Sequence, residues 1–133
     1  MTMYYPVARV LWNLSASGLT TTLSASGNSG STTPISVREV TDVWLAVSVA
    51  GTSTGTSPTL DVQLDVQDAD GNWFLQVAKI TQLTSAPGSS SVSCGLHIAS
   101  SGSMVLPRFC RVAWTLGGTT PVFPRASISL FGR

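Results

Sequence analysis

Hydrophobic and polar residues alternate with a period of two along most of this chain. In LDVQLDVQ, residues 60–67, every even position is apolar and every odd position is polar. Such alternation is typical of strands that bury one face of a sheet and expose the other. Comparable runs rich in Val, Ile, Thr and aromatic residues occupy 6–14, 19–25, 35–37, 43–49, 73–80, 91–99, 109–116 and 123–131.

This pattern predicts the fold class and the core. No segment of twelve or more residues carries an uninterrupted helical stripe, and Gly and Pro separate most of the runs. We therefore expect one all-β domain over residues 1–133, an antiparallel β-sandwich or jelly roll of about eight strands. The predicted core comprises Leu45, Val47, Leu60, Val62, Leu64, Val66, Val77, Val112 and Trp114.

The tryptophans divide into two groups by their sequence context. Trp44 and Trp114 stand in mid-strand among apolar neighbours, so core positions are expected for both. Trp73 directly follows DADGN at 68–72, which predicts a hairpin turn. Trp73 is therefore the best candidate for an exposed ring, although packing is favoured for it too.

Two similar phrases join alternating runs, GTSTGTSP at 51–58 and LGGTTP at 116–121. Each contains a glycine that permits positive φ, Gly55 or Gly118, and each ends in a proline that lacks a backbone donor. Both phrases predict a β-hairpin or a corner at which the chain passes between sheets. A phosphate-binding glycine loop would require a following helix, which the pattern does not provide.

Composition limits the classes of partner. Charged residues make up 10% of the chain, against about 25% in a typical soluble domain. The net charge is +1 with no basic stripe, so no nucleic acid is expected as a partner. No apolar run reaches the ~20 residues of a membrane span, and the first residues do not resemble a secretory signal. Low charge gives little protection against self-association, which favours a component of an assembly.

The residues capable of chemistry are few and scattered. His97 is the sole histidine and lies within an alternating run, so we interpret it as an ordinary strand residue. Asp61 and Asp65 are expected to point outward about 13 Å apart, farther than the ~5–9.5 Å of glycosidase carboxylate pairs. Cys94 and Cys110 are expected to be reduced and buried. We therefore expect no catalytic residue, no cofactor and no metal site.

The first residues suggest an interface. Tyr4 and Tyr5 are adjacent aromatic residues near a terminus, and Pro6 stiffens the connection to the first strand. Tyrosine offers a large contact area with few rotatable bonds. Residues 1–8 are therefore predicted to form an arm that contacts a neighbouring subunit or a shell. Alternatively, both rings cover the end of the protein's own sandwich.

Two long segments carry a family resemblance. GTSPTLDVQLDVQDADGNWFLQVAKITQLT, followed by LPRFCRVAWTLGGTTPVFPRASISLFG, resembles the small β-sandwich structural proteins of tailed-bacteriophage virions, over about residues 35–132. The resemblance implies a decoration (cement) protein that binds the major capsid protein on the outer virion surface and stabilises the shell. It also implies synthesis in the host cytoplasm and a homo-oligomer, with a trimer as the suggested state.

Other interpretations remain open. A tail or neck component is the nearest alternative within the same family. A carbohydrate-binding module of a receptor-binding apparatus, using an exposed Trp or Tyr, is an alternative from a different class. An enzyme is not expected, because the sequence contains no constellation of a nucleophile, a base and an orienting carboxylate.

Overall fold

The computed structural model describes residues 8–15, 18–95 and 106–133. These residues contain no helix, and hence none long and apolar enough to cross a membrane. Their strands are β1 (Arg9–Asn13), β2 (Thr21–Leu23), β3 (Gly27–Asn28), β4 (Ile35–Ser36), β5 (Asp42–Val49), β6 (Thr54–Gln67), β7 (Trp73–Lys79), β8 (Gly88–Gly95) and β9 (Phe109–Gly132).

The strands form one antiparallel sheet that is nearly closed into a barrel. The backbone-paired order is β7-β6-β9-β5-β8, and the two end strands, β7 and β8, approach each other. The predicted all-β antiparallel class is therefore confirmed. The described residues contain nine strands, close to the expected number: β3 forms within a stretch that has no clear alternation, whereas the runs at 109–116 and 123–131 belong to one strand.

The long strand β9 organises the sheet. Its first half pairs with β6, and its second half pairs with β5. Among the described residues, each of the short strands β1 to β4 pairs with β9 alone. The sequence predicted separate strands at 109–116 and 123–131, and this separation was wrong, because residues 117–122 stay paired with β6 instead of turning.

The two glycine-containing phrases lie beside each other in the sheet. Thr54 pairs with Val122 and Thr56 pairs with Thr119, with irregular register between them. The first phrase carries the chain from β5 to β6, which pair with opposite halves of β9, and the second phrase makes the same passage within β9. Neither phrase forms a hairpin, so the hairpin interpretation was wrong, and both phrases lie where the chain passes from the β6 side to the β5 side of β9 within a single sheet.

Each phrase needs its glycine because the other phrase's backbone approaches it. Gly55 has φ of 101°, and a Cβ there would lie 2.5 Å from the carbonyl oxygen of Thr120. Gly118 has φ of 97°, and a Cβ there would lie 2.5 Å from the carbonyl oxygen of Ser57. The two phrases therefore contact each other, and each contributes the glycine that allows the other's backbone to approach.

The core follows the predicted alternation. The predicted core residues are buried except Val77 and Trp114, which are partly buried and pack against the core. The prediction that Trp44 is in the core was wrong, because its even position in β5 faces outward, and its side chain is 44% exposed. Both cysteines are buried free thiols, and burial raises the pKa of Cys110 to about 12.

Candidate functional surfaces

The first candidate surface depends on a buried carboxylate. Asp65 lies on the outward parity of β6, yet it is only 1% exposed. Its Oδ1 accepts hydrogen bonds from Gln63 Nε2 at 2.8 Å and from the backbone N–H of Gln76 at 2.9 Å. Its Oδ2 accepts from Arg111 Nε at 2.9 Å. Asp65 was expected to point outward, and an exposed position for it is wrong, because Gln76 of β7 and the Arg111 side chain cover it.

The cover over Asp65 includes an aromatic ring. The Arg111 guanidinium lies 4.3 Å from the centroid of the Trp73 ring, within the range of a cation–π contact. Arg111 also donates from Nη1 to Ser31 Oγ. Trp73 is consequently only partly exposed, in agreement with the packing that the sequence analysis favoured for it. Asp61, which lies on β6 with Asp65, is nearer the surface and forms an ion pair with Lys79.

The Asp65 contacts hold an irregular segment of β7. Leu64 pairs with Ala78 and Val66 pairs with Phe74, so one residue of β6 opposes three residues of β7. Gln76 has φ of 55°, and its N–H is the group that binds Asp65. A regular strand would turn one of two consecutive side chains inward. Here Phe74 is 55% exposed and Leu75 is 61% exposed, and we call residues 74–75 the β7 knuckle.

The second candidate surface lies on β5, β8 and the second half of β9. Their outward side chains form three cross-strand rows, which we call the serine face. The rows contain one tryptophan, one phenylalanine, one alanine and six serines, and no charged group. In order from β9 through β5 to β8 they are Phe131–Trp44–Ser93, Ser129–Ala46–Ser91 and Ser127–Ser48–Ser89.

The two aromatic residues of the serine face form a ridge. The ring centroids of Trp44 and Phe131 are 5.2 Å apart, with the planes tilted by 32°. A shallow groove of about 380 Å³ lies on one side and reaches the ion pair between Asp42 and Arg133. A groove of about 510 Å³ lies on the other side and is lined mainly by serines. The ridge therefore contacts two different environments, one ionic and one neutral.

The structure accounts for the remaining predicted sites only in part. Tyr4, Tyr5, Pro6 and His97 lie outside the described residues. In the part of the chain that is described, no group of three or more His, Cys, Asp or Glu could hold a metal. Sequence reasoning missed the exposure of Trp44, although the alternation of VWLAVSV at 43–49 places it on the face opposite to Val43 and Leu45.

Comparison with known proteins gives no assignment. The chain matches no protein-family model, and no curated protein or solved structure is significantly similar to it. The two surfaces and the composition of the chain are therefore the observations that bear on its function.

Proposed function

We propose that this protein is a decoration protein of a tailed-phage virion, which binds the major capsid protein on the outer surface of the shell and stabilises it. The β7 knuckle carries this proposal. Phe74 and Leu75 are consecutive exposed apolar residues on a strand at the end of the sheet order, a typical location for association with another protein. The resemblance of residues 35–132 supplies the class of partner.

The knuckle is maintained at a cost. Gln76 adopts a positive φ that non-glycine residues rarely adopt, and the Asp65 carboxylate is removed from water to bind it. Bulges of this kind commonly re-aim side chains next to functional sites. Here the effect is to turn both apolar side chains toward solvent, which supports a role in docking.

The rest of the surface suits a neutral partner. Four carboxylates are already paired with cations of the same chain, so they do not require a countercharge from a partner: Glu39 with Arg9, Asp42 with Arg133, Asp61 with Lys79, and Asp65 with Arg111. We also propose that the fold is a jelly roll. A barrel flattened into the two layers of a jelly roll would explain why β9 pairs with β6 along one half and with β5 along the other.

The test measures binding to capsids that lack this protein. The double variant Phe74→Ser/Leu75→Ser removes two apolar side chains that we expect to be about half-buried in the complex. The binding free energy should weaken by roughly 2–3 kcal/mol, which corresponds to about 30- to 150-fold in affinity. Leu19→Ser is the matched control, because Leu19 is 63% exposed but lies outside the knuckle. Its affinity is expected to stay within about twofold of wild type.

Two results would contradict the proposal. One is failure of the wild-type protein to bind capsids, and the other is equal binding by the double variant. Binding of the wild-type protein to purified tails or necks instead of capsids would establish the tail or neck alternative.

A further inference from the structure

We propose that the serine face is a binding site for a neutral oligosaccharide, an activity additional to docking through the β7 knuckle. The site is the groove of about 510 Å³ between the Trp44–Phe131 ridge and the serines of β5, β8 and β9. The ligand class follows from three properties of this groove: free hydroxyl groups, an exposed indole ring and the absence of charge.

The serine hydroxyls of this face are available to a ligand. Some serine side chains elsewhere in the described chain bind the backbone, as when Ser29 Oγ accepts from the Val112 N–H at 2.9 Å and Ser53 Oγ accepts from the Ala86 N–H at 3.1 Å. Each hydroxyl offers one donor and two acceptor positions. Within the described residues no intrachain hydrogen bond involves the side chains of Ser48, Ser89, Ser91, Ser93, Ser127 or Ser129.

Trp44 presents an aromatic face beside these hydroxyls. Phe131 is its cross-strand neighbour in β9, and Ser93 is its neighbour in β8. The next outward residue along β5 is Ala46. Because Ser93 and Ala46 are small, the indole is 44% exposed and lines both grooves, with Ala46 beside it in the groove of about 510 Å³. A sugar ring has a face of C–H groups and a rim of hydroxyls, so it can stack on the indole and hydrogen-bond to the serines.

The dimensions favour a small ligand over a protein. Strands lie ~4.8 Å apart and alternate residues ~6.8 Å apart, so the nine side chains span roughly 10 by 14 Å. This area is far below the ~800 Å² per partner of a standard protein interface. Serine and alanine are also depleted in such interfaces. A groove of about 510 Å³ falls within the ~300–1,000 Å³ typical of small-ligand sites.

The lack of charge selects among saccharides. The nine side chains of the face include no acid or base, and the nearby Asp42 and Arg133 pair with each other at 3.3 Å. Sialylated, sulfated or uronic-acid glycans would therefore gain no countercharge from the face and would lose part of their hydration on entering the groove. The site is expected to prefer uncharged hexose or N-acetylhexosamine chains.

The test begins with an array of neutral and acidic oligosaccharides. Titration with neutral hexasaccharides of glucose, mannose, galactose and N-acetylglucosamine then follows, monitored through the indole N–H signals of the protein. We expect at least one neutral chain to bind and to shift the Trp44 signal, while the signals of Trp12 and Trp114, which stack on each other, stay in place. Trp44→Ala is expected to weaken binding at least tenfold.

A second variant keeps the test independent of any loss of folding. Ser91→Leu fills the groove from an exposed position of β8 and is expected to weaken binding by a similar factor. Phe74→Ala is the control and is expected to bind within twofold of wild type. The proposal is overturned if no neutral chain binds, if only acidic chains bind, or if binding survives both Trp44→Ala and Ser91→Leu. Capsid binding by Trp44→Ala is expected to be unchanged, which separates this test from that of the proposed docking function.

Discussion

Replacing Asp65 with asparagine tests whether the buried carboxylate holds the β7 knuckle. The substitution keeps the shape of the side chain but removes its charge and half of its acceptor capacity. All three partners of Asp65 are donors: Gln63 and Gln76 bind Oδ1, and Arg111 binds Oδ2. If the amide oxygen keeps the first two, the amide NH₂ faces Arg111 Nε. The opposite orientation places the NH₂ against Gln63 and Gln76.

The expected loss of stability follows from burial. Removing one member of a buried ion pair typically costs about 3–5 kcal/mol. Arg111 is 16% exposed and keeps its contacts with Trp73 and Ser31, so we expect about 2–4 kcal/mol. An unfolding entropy of about 2.1 cal/mol/K per residue gives roughly 0.3 kcal/mol per degree for this chain. The melting temperature should therefore fall by roughly 7–14 °C.

The assay combines thermal unfolding with amide hydrogen exchange. Asp61→Asn is the matched control, because Asp61 lies on the same face of β6 and its ion pair with Lys79 is closer to solvent. That pair is expected to contribute about 0–1 kcal/mol. In Asp65→Asn, but not in Asp61→Asn, the amide of Gln76 should lose its protection. Equal melting temperatures for the two variants, or unchanged exchange at Gln76, would refute the role assigned to Asp65.

Two further predictions concern the corner and the core. Gly118→Ala should cost more than about 3 kcal/mol in urea unfolding, because it combines left-handed strain of ~1–2 kcal/mol with a clash against Ser57. Gly71→Ala, where the nearest atom would lie 3.7 Å away, should cost only the strain, and equal losses would contradict the close approach. The pKa of Cys110 is raised to about 12 by burial, so its reactive thiolate is scarce below that pH. Native protein at pH 8 should react with a thiol reagent no faster than it unfolds, and rapid labelling of Cys110 would show that it is accessible.

Local alternation predicted the strands and most of the core because parity alone decides which side chains a sheet buries. Parity also contained the correct position of Trp44, but the apolar character of its neighbours Val43 and Leu45 favoured the core. The burial of Asp65 could not be predicted in this way. Its ion-pair partner, Arg111, is 46 residues away, and its cover depends on a bulge in β7 whose position the sequence WFLQVAK does not specify.

Neither of the two surfaces could be predicted from the sequence, for the same reason. The serine face requires knowing that β5, β8 and β9 are neighbours, and the sequence predicts these strands without predicting their order. Predicting the β7 knuckle would require knowing that β7 becomes irregular where the N–H of Gln76 binds Asp65. In both cases the residues are visible in the sequence, and only the long-range pairing brings them into a common site.

The central position of β9 has a consequence for biosynthesis. Among the described residues, β1 to β4 pair with no other strand, and the β5–β8 and β6–β7 pairs are joined only through β9. During translation β1 to β4 are made before residues 109–132, so they lack their sheet partner until that stretch has left the ribosome. The nascent chain therefore exposes unpaired strand edges, which are prone to aggregation. Completion of the sheet by pairings between distant segments should make folding slow and largely post-translational.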